Sequence, residues 1–270
     1  MLGMKPHLPL DRAGERLLVH FADPVRRLPP PIPLPDPEQI RLLIKAADNH
    51  GVLPSVIRGL SALMEREAKS AGSPEPKALT AARSEVEVAK LRIAYQTGFQ
   101  IKTLYHARRI MAGFSAKGVN AALVKGAAFA QRLYSEPSLR TFTDADLLVH
   151  VEHRHAAARV MLSLGFELFE FEDRKGKDYH EQKWLLPPQH DVMIEVHSNL
   201  VHSPKLRGSM SIGYDDVRAA GGGDCADATA LLFVAATHGA IGHQLDRLQH
   251  LVAVMQATRV DWRPYASAAA

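Results

Sequence analysis

The chain reads as an α/β protein in which a small mixed sheet is flanked by helices, with helical parts toward both ends. Three observations predict this class. Apolar side chains recur at helical spacing through most of residues 36–117. Short apolar segments at 119–124, 144–149 and 192–197 read as strands. In the last, Val192, Ile194 and Val196 face one way, and Met193, Glu195 and His197 the other. Finally, Lys125-Gly126 turns the chain from the first strand straight into a short helix, the strand–turn–helix order of α/β units.

Residues 1–35 read as a Pro-rich arm, because RRLPPPIPLP at 26–35 favours polyproline II and lacks either periodicity. Asp36-Pro37-Glu38-Gln39 then starts a helix. Asp36 is the cap, Pro37 suits the first helical position, and Gln39 closes a capping box. Ile40, Leu43, Ile44 and Ala47 continue it, and Gly51 stops it. A second helix begins near Pro54, with Val56, Ile57, Leu60, Leu63 and Met64 on one face. Beyond a Ser/Gly/Pro loop at 70–76, a long helical region reaches Lys117, with a break expected near Gly98. Four parts result: the arm 1–35, a helical part 36–117, a sheet core 118–203 and a C-terminal helical part 204–270. Within the later parts, helices are expected at 127–134, 153–164, 228–241 and 245–257. Strands are expected at 166–171 and 183–186, with turns at 175–177 and 261–264.

Composition excludes several classes. A single cysteine, Cys225, rules out an internal disulfide framework and a cysteine-built zinc site. The most apolar runs fall short of the ~20 residues a spanning helix needs. The opening MLGMKPHLPL has no signal-like apolar core, so a cytoplasmic setting is expected. The net charge of +4, with no dense basic block, permits a nucleic-acid partner without demanding one. Fourteen histidines are many. Those at 150, 153, 155, 180, 190 and 202 show no metal-ligand spacing, and His238 and His243 do not share a helical face.

The informative stretch is 124–149, VKGAAFAQRLYSEPSLRTFTDADLLV. Asp144 and Asp146 are two apart, so in a strand both carboxylates share a face, while Ala145, Leu147 and Val149 pack on the other. Such a pair suits a hard divalent cation such as magnesium, which binds through carboxylates plus substrate phosphates. Glu195 lies about fifty residues later on the polar face of another strand. A helix N-terminus at Lys125-Gly126 can receive an anion, and the glycine permits close approach. Arg140 offers a fork for phosphate, or a pin for the acidic strand. His197 shares a face with Glu195 and can support the ligands, touch substrate, or serve only structure.

Lys-Gly before a helix, then RTFTDADLLV, then IEVH, together resemble an uncharacterised nucleotidyltransferase family of the DNA polymerase beta-type superfamily. That family's motif runs LKG…YP…R…DiDlLV…vEvH, and the resemblance spans roughly residues 40–262. It implies the polymerase-beta-type core, with Asp144, Asp146 and Glu195 as catalytic ligands of two Mg2+ ions, Mn2+ being a possible substitute. It also implies an NTP substrate contacted by Lys125, Gly126 and Arg140, with ATP among the candidates. The NMP would pass to a small molecule, modified peptide, protein or RNA. One departure stands out. Superfamily members usually carry Gly-Ser at the turn, and here Ala127 follows Gly126, so that hydroxyl is missing. This leaves two alternatives beside the active transferase: a catalytically silent nucleotide-binding module, and a toxin-like transferase directed at tRNA.

Overall fold

The computed structural model describes residues 10–25, 33–71, 77–169, 180–241 and 247–259. The chain divides into two compact units. One comprises Met1–Thr97, Ser138–Thr141 and Arg247–Val252; the other comprises Gly98–Pro137, Phe142–Asp246 and Ala253–Ala270. The Pro-rich residues 26–32, the turns expected at 175–177 and 261–264, and His243 lie outside the described residues.

The first unit is helical. Its α1 (Arg12–Ala22) is a correction to the arm expected over 1–35. Asp11 caps it by accepting Gly14 N–H at 2.7 Å, and Leu17, Leu18, Phe21 and Ala22 form a buried stripe. Phe21 lies on Gly59 of α3 (Leu53–Ala71), where a Cβ would come within 2.1 Å of the ring. The arm therefore contains a packed helix, hidden in the sequence behind the proline run that follows it. Asp36 caps α2 (Pro37–Asn49) as expected, accepting Gln39 N–H at 2.9 Å. Gln39 does not close its own box; its carboxamide oxygen accepts Asp11 N–H at 3.0 Å and ties the two helix starts together. Gly51 ends this segment with φ +68°. α4 (Lys77–Ala116) is one uninterrupted helix, and the break expected at Gly98 is absent. Each of its two glycines, Gly98 and Gly113, costs about 1 kcal/mol in a helix, which forty residues absorb.

The second unit holds a five-stranded mixed sheet. Its strands are β1 (Ala121–Val124), β2 (Ala145–Val149), β3 (Glu167–Phe169), β4 (Glu181–Leu185) and β5 (Met193–His197), in the order β1-β2-β5-β4-β3. Only β2 and β5 run parallel; the other pairs are antiparallel. One face packs Ala145, Leu147, Val149, Trp184, Ile194 and Val196 against Ile110 and Phe114 of α4 and Val160 and Met161 of α6 (Arg154–Ser163). Ala145, Leu147 and Val149 thus fill the face expected of them. On the other face, Ala122, Val124 and Leu148 meet Phe129 of α5 (Lys125–Arg132) and residues of α8 (Tyr214–Ala220) and α9 (Ala228–Ile241). The central strand β2 is buried on both sides, and each of its leucines contributes about 1.5–3 kcal/mol by leaving water. Short α7 (Pro204–Arg207) and α10 (Leu248–Thr258) complete the helices of the described residues. None of these is long and apolar enough to cross a membrane.

Candidate active site

Strand register builds the site. Because β2 and β5 are parallel neighbours, Asp146 stands opposite Glu195 and Leu148 opposite His197. The antiparallel β4 then sets Lys183 opposite Glu195 and Glu181 opposite His197. Paired residues project from the same face. One row across the sheet is therefore Asp146, Glu195, Lys183, and the next is Leu148, His197, Glu181. Asp144 enters just before β2, and Lys125 heads α5 directly after β1.

These side chains are in contact. Lys125 Nζ donates to Asp146 Oδ1 at 2.7 Å, and His197 Nε2 reaches the same oxygen at 2.9 Å. His197 Nε2 also lies 3.5 Å from Glu195 Oε2. Lys183 Nζ pairs with Glu195 Oε1 at 2.5 Å and with Glu181 Oε1 at 3.4 Å. Lys125, Asp146, Glu195 and His197 are all buried. Asp146, Glu195 and His197 place ligand atoms within 4.8 Å of one another, close enough to hold one metal ion.

The electrostatics follow from this packing. Burial would raise the Asp146 carboxyl, but the Lys125 ammonium and the His197 ring hold it far below the ordinary range. Burial likewise opposes ionised Glu195, and the hydrogen bonds from His197 and Lys183 outweigh it. Burial and Lys125 press His197 toward neutrality, yet its carboxylate bonds keep it protonated above the usual range. Asp144 is the exception. Burial, then repulsion from Asp146 and Glu195, push its carboxyl up to about 7, and the two lysines offset this only in part.

The comparisons with known proteins bear on this arrangement. A family model described as an uncharacterised nucleotidyltransferase matches residues 36–267. The chain belongs to that family. No curated protein and no solved structure matches it. Membership in a nucleotidyltransferase family implies transferase activity on an NTP substrate. In this nucleotidyltransferase the three carboxylates are oxygen donors of the kind hard divalent cations take. Burial first, and then the charges of Asp146 and Glu195, hold the Asp144 carboxyl above its ordinary range, and a cation beside it would relieve that repulsion. The donors therefore suit a divalent metal ion.

The residues picked out in the sequence are placed unequally. Asp144, Asp146, Glu195 and His197 come together. Lys125 joins them as the buried partner of Asp146, so its charge is directed inward. It is also Lys125, at φ +54°, and not Gly126, that takes the left-handed conformation at the turn. Gly126 is buried, and a Cβ there would lie 2.9 Å from Phe142 Cβ, so packing against Phe142 accounts for the glycine. Arg140 belongs to the helical unit, where its guanidinium donates to Gln249 Oε1 at 2.8 Å and to the Thr141 carbonyl. These contacts clamp the start of α10, whose Gln249 N–H in turn donates to the His50 carbonyl at 3.1 Å.

Lys183 and Glu181 were missed as site residues. The signal was present in the hairpin: with Leu185 opposite Met193, counting back by two puts Lys183 against Glu195 and Glu181 against His197. Reading 183–186 as a strand without pairing it to 192–197 hid this.

Proposed function

We propose that the chain moves an NMP from an NTP to an acceptor hydroxyl or phosphate, with Asp144, Asp146 and Glu195 holding the divalent ions. The supporting observation is the β2–β5 register, which sets Asp146 beside Glu195 on one face next to Asp144. Magnesium held there would supply charge neutralisation at the triphosphate and activation of the acceptor oxygen. The chain's own residues prepare the seat. Lys125 and His197 keep Asp146 ionised and fix the rotation of its carboxylate. Asp144 gives up its proton when it becomes a ligand. Lys183 is the half-buried cation on Glu195, and it can transfer its hydrogen bond to an incoming phosphate. Arg140 acts through the structure it holds together. The proposed setting is cytoplasmic, in keeping with the single Cys225.

The test is pyrophosphate release. The full chain is incubated with Mg2+, each NTP in turn and candidate acceptors. Wild type releases pyrophosphate with at least one NTP, and Asp146→Asn and Glu195→Gln do not. One specific feature favours the silent-module reading: Ala127 stands where the superfamily usually has a serine beside the phosphate. Metal-dependent NTP binding without pyrophosphate release from any NTP would establish that reading instead. A steep loss of tRNA binding with salt would point to the tRNA-directed alternative.

A further inference from the structure

A second set of metal-ligating side chains converges beside the carboxylate row. His180, Glu181 and His202 bring ligand atoms within 4.8 Å of one another, and all three are half-buried. The sequence shows no metal spacing here, because the fold does the gathering. Glu181 opens β4, and His180 precedes it, held by Ser198 N–H donating to the His180 carbonyl at 2.7 Å. His202 lies in the segment after β5, which Arg207 fastens by donating to the Val201 and His202 carbonyls at 3.2 and 2.7 Å. Asn199 Oδ1 accepts Val201 N–H at 2.9 Å and Ile212 N–H at 3.2 Å, fixing the same segment.

We propose that His180, Glu181 and His202 form a second metal site, one that takes a zinc-class divalent transition ion. Two imidazoles and one carboxylate are the donors that zinc and its neighbours favour, whereas magnesium prefers oxygen alone. His202 Nδ1 already lies 3.1 Å from Glu181 Oε2. Donors at about 2.1 Å from a tetrahedral zinc sit roughly 3.4 Å apart, so the group closes on an ion by side-chain rotation. Three protein donors at a half-buried position leave room for water as the fourth ligand. Arg207 Nη1 lies 3.0 Å from His180 Nε2, so His180 either meets the ion through Nδ1 or gives up that contact.

The ion would staple the segment after β5 to the start of β4. That staple lies next to the carboxylate site, since Glu181 Oε2 is 3.9 Å from His197 Nδ1 and the His197 and His202 rings are 5.7 Å apart. The site stands independently of any transfer activity.

Cobalt(II) reports it. The full chain is stripped with chelator, placed in saturating Mg2+ to fill the carboxylate site, and titrated with Co2+. The expected result is one equivalent bound with the intense visible absorption of low-coordinate cobalt, displaced by Zn2+. His202→Ala and His180→Gln should each weaken binding by at least about a hundredfold, while Asp146→Asn retains it. Circular dichroism confirms that each variant is folded, and either histidine variant alone gives the reading. Absence of the band in wild type, its survival in the folded histidine variants, or its loss in Asp146→Asn would overturn the proposal.

Discussion

Replacing Asp144 with Asn should stabilise the metal-free chain at alkaline pH while removing its metal affinity. In the folded state the Asp144 carboxyl sits at about 7, against an ordinary 3.8, because burial and the charges of Asp146 and Glu195 oppose its ionisation. The folded chain therefore holds a proton that the unfolded chain has lost between those two pH values. Stability then falls as pH rises through the window, and the loss is complete above about 7. At about 1.36 kcal/mol per pKa unit, the full gap corresponds to about 4 kcal/mol. Asp144 is only partly buried, and solvent screening reduces this to about 2–3 kcal/mol. Asn cannot ionise and escapes the loss. The assay is urea unfolding in chelator from pH 4 to pH 8, followed by the fluorescence of Trp184, which is buried in the sheet core. The stability difference, Asp144→Asn minus wild type, should grow by about 2–3 kcal/mol from pH 4 to pH 8. Parallel pH curves, or a variant that loses ground at pH 8, would refute the reasoning.

Other perturbations give different signs. Lys125→Met strips the buried cation from Asp146 and should destabilise the sheet unit by about 3–5 kcal/mol in the same unfolding assay. Gly126→Ala brings a methyl to 2.9 Å from Phe142 Cβ, costing about 1–3 kcal/mol in the same unfolding assay. Lys183→Met takes the 2.5 Å partner from buried Glu195, so unfolding should shift by about 1–3 kcal/mol. Its effect should appear in steady-state kinetics, as a raised KM for NTP with a smaller change in kcat.

The sequence made the carboxylate geometry legible because strand periodicity is short-range and strict. Asp146, Glu195 and His197 each fall on the face that alternation assigns, with Ala145, Leu147, Val149, Ile194 and Val196 opposite, and Asp144 stands just before β2. What was hidden depends on pairing and on partners distant in the chain. Lys183 needed the β4–β5 register, and the histidine cluster needed a strand start and a loop brought together by Arg207. Lys125 looked like a phosphate hook because nothing local shows that its ammonium turns inward to Asp146. Gly126 looked like a cradle because Phe142, the residue that requires it, is sixteen positions away. Helix α1 was obscured by the proline run beside it, although Asp11 and the stripe Leu17, Leu18, Phe21 were there to be read.

Direct titration with Mn2+, followed by electron paramagnetic resonance of the free ion, tests the seat itself. The carboxylate row predicts that wild type removes Mn2+ from solution and that Asp146→Asn and Glu195→Gln each bind at least about tenfold more weakly, with both variants folded. Equal Mn2+ uptake by the wild type and both variants would contradict it.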